Sequence, residues 1–293
     1  MLKIENLSFY YGPSLALNEV NLFEGEPIIA GLWGRNGAGK TTLMKLLSGQ
    51  EKPTSGQLLV NGIAPYNHSE TMKHVTYMQE NHPFSELWNV DDALRFGSYF
   101  NENWDQAFAE EMVELFELPR KKKIRKFSKG MQTMIKIVIG LASKAPITIF
   151  DEPTNGLDAH MRKVFYQLLL DTYEDHPRLI ILSSHHIDEI EPLCEKIAII
   201  DKQTVSDYVE TEELNRKGIL LTGQKEQVES LIIGEHVLET KTLGNQIHVM
   251  VDIPFTEKWK ERASEAGVKI EKAPLQDYLV QITQKERKEA NVS

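Results

Sequence analysis

The chain has 293 residues, 41% hydrophobic and 26% charged, with a formal net charge of -10. That length suffices for one large or two modest buried cores, and the acidic balance disfavours nucleic-acid binding, which draws on an excess of Lys and Arg. Cys194 is the only cysteine, so no internal disulfide can form, the chain reads as intracellular and the thiol as a small buried hydrophobe.

The opening Met1 to Tyr11 mixes charge with apolar residues, unlike a secretory leader. Residues 2–9 and 18–23 read as short strands and Pro27 to Trp33 as a buried one. A Gly-rich turn, Gly34 to Gly39, follows, and then a helix to about Ser48 with Gly49 as its stop. Val75 to Met78 is a further strand. Between about 88 and 143 the pattern becomes helical, with apolar spacing over 104–118 and a second helix after Ser128. The most apolar helical stretch, near Met134 to Ala142, is interrupted by Lys136, and no run reaches the roughly twenty apolar residues of a membrane span. The runs Ile147 to Phe150, Leu179 to Leu182 and Ile197 to Ile200 alternate with helical patterns, which predicts a parallel sheet covered on both faces.

From about 216 the texture changes. Gly218 to Thr222, Val237 to Thr242, Gln246 to Val251 and Val268 to Glu271 read as strands, with a hairpin at Gly244-Asn245. Helices fall at Gln224 to Ile232 and Thr256 to Ala266. The order βαββαβ predicts a small ferredoxin-like appendage. The expected division is 1–212, with a helical insert at about 88–143, and 213–293.

Two segments carry chemistry. Gly34-Arg35-Asn36-Gly37-Ala38-Gly39-Lys40-Thr41-Thr42 fits G-x-x-x-x-G-K-[ST] between a strand and a helix. Its glycines let backbone N–H groups ring an anion at a helix N-terminus. Lys40 reaches phosphates and Thr41 supplies a hydroxyl for Mg²⁺. Ile147 to Glu152 is an apolar strand ending in two carboxylates, at the sheet edge where open α/β folds bind ligands. Asp151 suits Mg²⁺ through water, and Glu152 can accept a proton from an attacking water.

Further stretches carry a resemblance. Phe127-Ser128-Lys129-Gly130-Met131-Gln132 resembles the L-S-G-G-Q signature of ATP-binding cassette proteins. Pro153 to Asp158 resembles the family's D-loop, His185 its switch histidine, Gln79 its Q-loop glutamine, and Tyr11 the aromatic residue that stacks on adenine. The resemblance covers roughly residues 1–210 and departs at Lys129 and Met131. Lys129 is expected to point to solvent, the basic run Arg120 to Lys126 to form a solvated loop, and the adjacent His185 and His186 to hold no metal together.

The resemblance implies an α/β P-loop ATPase core with a helical subdomain, binding ATP and Mg²⁺. It implies Glu152, His185 and Lys40 as catalytic residues. Tyr11, Gly34 to Thr42, Gln79, Ser128, Gly130 and Asp158 would bind nucleotide, and Thr41, Gln79 and Asp151 the metal. His185 would hold the γ-phosphate. Ser128 and Gly130 would reach the nucleotide of an opposite cassette, in a homodimer or heterodimer. The expected setting is cytoplasmic, peripheral on the inner face of the cell membrane. There the chain would serve a separate membrane-spanning permease subunit, with no nucleic acid and no direct membrane insertion. A soluble ATPase outside transport is the alternative; a degenerate regulatory subunit is excluded because every catalytic position is filled. The tail Pro274 to Thr283, an apolar helix before a variable end, resembles exporters of drugs, peptides or lipid-like molecules.

Overall fold

Residues 1–290 are described in a computed structural model. They form two units, Met1–Tyr208 and one that begins at Val209; the end of the tail, 291–293, lies outside the described residues.

The first unit is built on two sheets. Strands β1 (Leu2–Tyr11), β2 (Ser14–Glu24) and β4 (Ser55–Val60) make an antiparallel sheet with β1 in the centre. The first two strands run further than the expected 2–9 and 18–23. Gly12, at φ 58, turns the chain within two residues, so pairing continues to Tyr11 opposite Ser14. The second sheet has the order β5-β6-β7-β3-β8-β9. Its members are β3 (Ile29–Trp33), β5 (Val75–Met78), β6 (Ile147–Asp151), β7 (Leu179–Ser184), β8 (Lys196–Asp201) and β9 (Thr204–Glu210). The pairs from β5 through β8 are parallel. Every residue of β3, β6 and β7 is buried, as expected of parallel strands covered on both faces. β9 follows β8 through Lys202 and Gln203, both at positive φ, and was not legible as a strand.

Helix α1 (Lys40–Leu47) contributes Leu43, Met44, Leu46 and Leu47 to a core shared with Leu7, Leu17 and Leu58 of the antiparallel sheet and Leu32 and Ile149 of the parallel one. It stops at Ser48, and Gly49 follows at φ 73. The short α2 (Ser69–His74) leads into β5. The helical insert holds three helices, α3 (Val90–Phe100), α4 (Gln106–Leu115) and α5 (Lys129–Ala142), rather than the two anticipated. Asn89 and Asp92 form a capping box on α3, Asp105 caps α4 and Ser128 caps α5. Gly140 lets α5 cross β6 closely, since a Cβ there would lie 2.4 Å from the Phe150 ring. The basic run is largely exposed, as expected, and carries surface ion pairs, Arg120 with Asp91 and Glu110 and Arg125 with Glu86, while Ile124–Lys126 is a 3-10 turn. After β6, α6 (Ala159–Asp175) starts on Asp158, and α7 (Ile187–Ile190) follows β7. Cys194 is buried, and burial pushes its thiol pKa up.

The second unit opens with α8 (Thr211–Leu214). It then runs β10 (Ile219–Gln224), α9 (Lys225–Leu231), β11 (Val237–Leu243), β12 (Gln246–Val251), α10 (Glu257–Glu265) and β13 (Lys269–Lys272). The sheet order is β11-β12-β10-β13 with antiparallel neighbours, the ferredoxin-like arrangement. Ile219, Leu221, Val249 and Val251 pack with Val228 of α9 and Trp259 and Ala263 of α10. The closing helix, α11 (Leu275–Ala290), buries Tyr278 and Leu279, and Gln281 donates to Glu239 of β11.

Candidate active site

The turn between β3 and α1 is shaped by backbone demands. Gly37 and Gly39 sit at φ 80 and 116, where glycine carries no Cβ penalty. Gly34 passes so close to β8 that a Cβ would stand 2.5 Å from the Ile200 carbonyl oxygen. Whereas α3 to α6 each have a side-chain cap, α1 has none. Its first N–H groups face the turn, a ready anion site. A cavity of about 290 Å³ opens here, and its lining includes Tyr11, Arg35, Asn36, Gly37, Gly39, Lys40, Thr41, Thr42, Asp151 and Glu152.

Lys40 is buried, and its ammonium donates to the Gly34 carbonyl at 2.5 Å and lies 3.5 Å from a Glu152 oxygen. Burial pulls its pKa below the usual lysine range, with Glu152 and Asp151 offsetting only part of that effect. Asp151 ends β6. It accepts from Ser183 Oγ at 2.6 Å, and its other oxygen accepts from Thr41 Oγ1 and Tyr77 OH, each at 3.3 Å. Burial, then Asp151, pushes the Tyr77 phenol up, so it stays a donor. The carboxylate and the Thr41 hydroxyl are hard oxygen donors side by side, a set that fits Mg²⁺.

Glu152 stands just past the strand at φ 51, its N–H donating to Ser183 of β7 through both the carbonyl and the hydroxyl. Its carboxylate oxygens lie 2.9 and 3.0 Å from His185 Nδ1. A proton on Nδ1 is donated to the carboxylate. His185 thus holds Glu152 in this arrangement.

Other expected members stand apart. Ala38 is buried beneath the turn, where its N–H donates to Arg35 O. Gln79 is not in the cavity lining, and its amide donates to Gln50 at 3.4 Å. Ser128 and Gly130 also lie outside the lining. Ser128 accepts from Met131 N at 3.3 Å, and a Cβ on Gly130 would come 2.7 Å from the Gly156 carbonyl oxygen, so that glycine permits contact with the D-loop. Asp158, expected on nucleotide, caps α6 by accepting from Met161 N at 2.9 Å. Lys129 is exposed, as expected, and its ammonium also reaches Glu80 at 3.3 Å. Met131 is half-buried on α5.

Sequence reasoning missed Tyr77 and Ser183, which hold Asp151, and Leu15, Ala16, Glu80 and Gln203, which join the lining. Ser183 and Ser184 carried a faint signal, since two hydroxyls in an otherwise aliphatic strand need partners.

A phosphate-shaped turn facing two carboxylates at the carboxyl edge of a parallel sheet defines a P-loop nucleoside triphosphatase. A family model described as "ABC transporter" matches residues 17–155. An ABC transporter ATP-binding protein of Methanocaldococcus jannaschii is 30% identical over 223 residues, which cover 74% of this chain and 80% of that one. The bacitracin transport ATP-binding protein BcrA of Bacillus licheniformis is 29% identical over 220 residues, 74% of this chain and 72% of that one. Among solved structures, one titled as the ATP-binding subunit of an ABC transporter superposes with a TM-score of 0.67 at 24% identity, covering 74% of this chain and 92% of that one. The chain belongs to the ATP-binding proteins of ABC transporters. It is an ATPase that binds ATP as the nucleotide subunit of a transport system.

Proposed function

We propose that this ATPase drives export. Two cassettes would close on two nucleotides, coupled to a separate permease chain and held by it at the cytoplasmic face of the membrane. The observation that carries the two-cassette reading is the separation of Ser128 and Gly130 from the cavity that holds Lys40, Asp151 and Glu152. One chain supplies the cradle, and the signature helix of another supplies the opposite wall. No helix among the described residues is long and apolar enough to cross a membrane. The resemblance of the Pro274 to Thr283 stretch to exporter tails supports export, and the name of BcrA carries a transport role.

In this reading Lys40 binds the β- and γ-phosphates, the α1 N-terminus holds the β-phosphate, and Tyr11, half-exposed at the rim, stacks on adenine. Thr41 and Asp151 hold Mg²⁺, with Gln79 reaching it from the edge. The metal supplies charge neutralisation on the phosphates. Glu152 takes the proton of the attacking water, and His185 fixes the carboxylate that does so.

The test is Ser128→Arg, assayed with a fluorescent ATP analogue and by steady-state phosphate release. Nucleotide binding by the isolated chain is expected to persist while hydrolysis is lost. Binding and turnover falling together would overturn the two-cassette reading.

A further inference from the structure

Position 129 is where the signature pattern has its first glycine, and here it carries a cation. That cation has a defined partner. Lys129 Nζ lies 3.3 Å from Glu80 Oε1, and the same oxygen accepts from Asn155 Nδ2 of the D-loop at 3.1 Å. The backbone of the same residue is gripped from α5: buried Lys136 donates to Glu80 O at 2.6 Å and Gln79 O at 3.3 Å. Glu80 is therefore fixed at both its carbonyl and its carboxylate.

The charge at Glu80 matters because of where it stands. Together with Asp151 and Glu152 it borders the cavity that takes a polyanion. Asp151 is engaged by Ser183 and Thr41, and Glu152 by Lys40 and His185. Glu80 has Lys129. A carboxylate without a nearby cation repels phosphate across a partly desolvated space, and one held by an ammonium repels it less.

We propose that Lys129 is a positioning residue for Glu80, drawing its carboxylate to the signature helix and offsetting its charge so that the cavity accepts triphosphate. Lys129 thus acts within its own chain and through Glu80, not by touching phosphate. This rests on the reading of the cavity as the ATP site.

The experiment is equilibrium binding of a fluorescent ATP analogue with Mg²⁺ to the full chain, alongside steady-state KM and kcat. Lys129→Ala is expected to weaken binding by about two- to fivefold, the range of an exposed ion pair, with KM rising more than kcat falls. Lys129→Arg retains parental affinity. Adding Glu80→Gln to Lys129→Ala brings affinity back, because the charge that Lys129 had offset is gone. Parental affinity in Lys129→Ala, or a loss that Glu80→Gln does not relieve, overturns the proposal; the second result would put Lys129 on phosphate itself. Lys40→Ala separates the two levels. If it binds nucleotide like the parent, the cavity assignment fails; if it does not bind while Lys129→Ala is parental, only the role of Lys129 fails.

Discussion

Met1–Tyr208 buries Glu24, Lys40, Lys136, Asp151, Glu152, Arg178 and Asp201, while among the described residues after it the buried polar side chains are the hydroxyls of Thr211 and Thr283. Burying charge is costly unless each group is paired or hydrogen-bonded. The first unit meets most of that cost with hydrogen bonds and ion pairs, although Arg178 Nη2 is buried without a hydrogen bond. Glu24 accepts from Lys196 at 3.0 Å and Tyr208 at 2.7 Å. Arg178, pulled down to about 10 by burial, donates to the carbonyls of Thr172 and His176. Lys136, pulled down to about 8 by burial, donates to two carbonyls. Lys40, Asp151 and Glu152 gather at one cavity. The second unit is held by apolar packing around Leu221, Val249 and Trp259. In the first unit buried charge serves both packing and the cavity, whereas the core of the second unit is apolar.

Glu152→Gln tests this contrast most severely. Turnover is expected to fall by about 10²–10⁴-fold, the contribution of a positioned base, and an ATP-bound dimer should accumulate, read by phosphate release and by size-exclusion chromatography with light scattering. Turnover at the parental rate would leave a buried carboxylate without a chemical role and break the comparison. Leu221→Ala probes the other side. The fully buried leucine should cost about 2–5 kcal/mol in denaturant unfolding, with the ATP dissociation constant unchanged. A shift in that constant would show the second unit contributing to the nucleotide site. Asp158→Ala gives the smallest effect, a stability loss of about 1 kcal/mol from the missing cap on α6. Asp158→Asn, which keeps a capping oxygen, should be near parental in thermal melting. Weak nucleotide binding in the Asn variant would return Asp158 to the nucleotide site.

What the sequence made legible follows the same division. The phosphate turn and the carboxylate strand are local patterns whose chemistry depends on consecutive residues. The ferredoxin-like order was legible because its strands and helices keep clean periods and Gly244-Asn245 marks its hairpin. Strand β9 escaped because its turn uses Lys202 and Gln203, which carry no glycine or asparagine signal for positive φ. The ends of β1 and β2 escaped because Tyr10 and Tyr11 are half-exposed and break the alternation. Helix α3 begins at a capping box, Asn89 with Asp92, that was passed over inside an undivided helical stretch. The partners of Glu80, His185 and Asp158 could not be read, because each is fixed by contact between segments or by local capping geometry.

The backbone of Glu152 carries a consequence for how this protein can change over generations. At φ 51 a glutamate sits where glycine, asparagine or aspartate is more at ease. Selection for turnover and selection for stability therefore pull this codon in opposite directions. A duplicated copy released from turnover would gain stability by exchanging Glu152 for glycine or asparagine, so inactivation is the downhill path. Keeping the glutamate requires continuing selection on hydrolysis. Laboratory variants inherit the same asymmetry: Glu152→Gly mixes relief of the backbone with loss of the carboxylate, while Glu152→Gln alters the chemistry and leaves the strain in place.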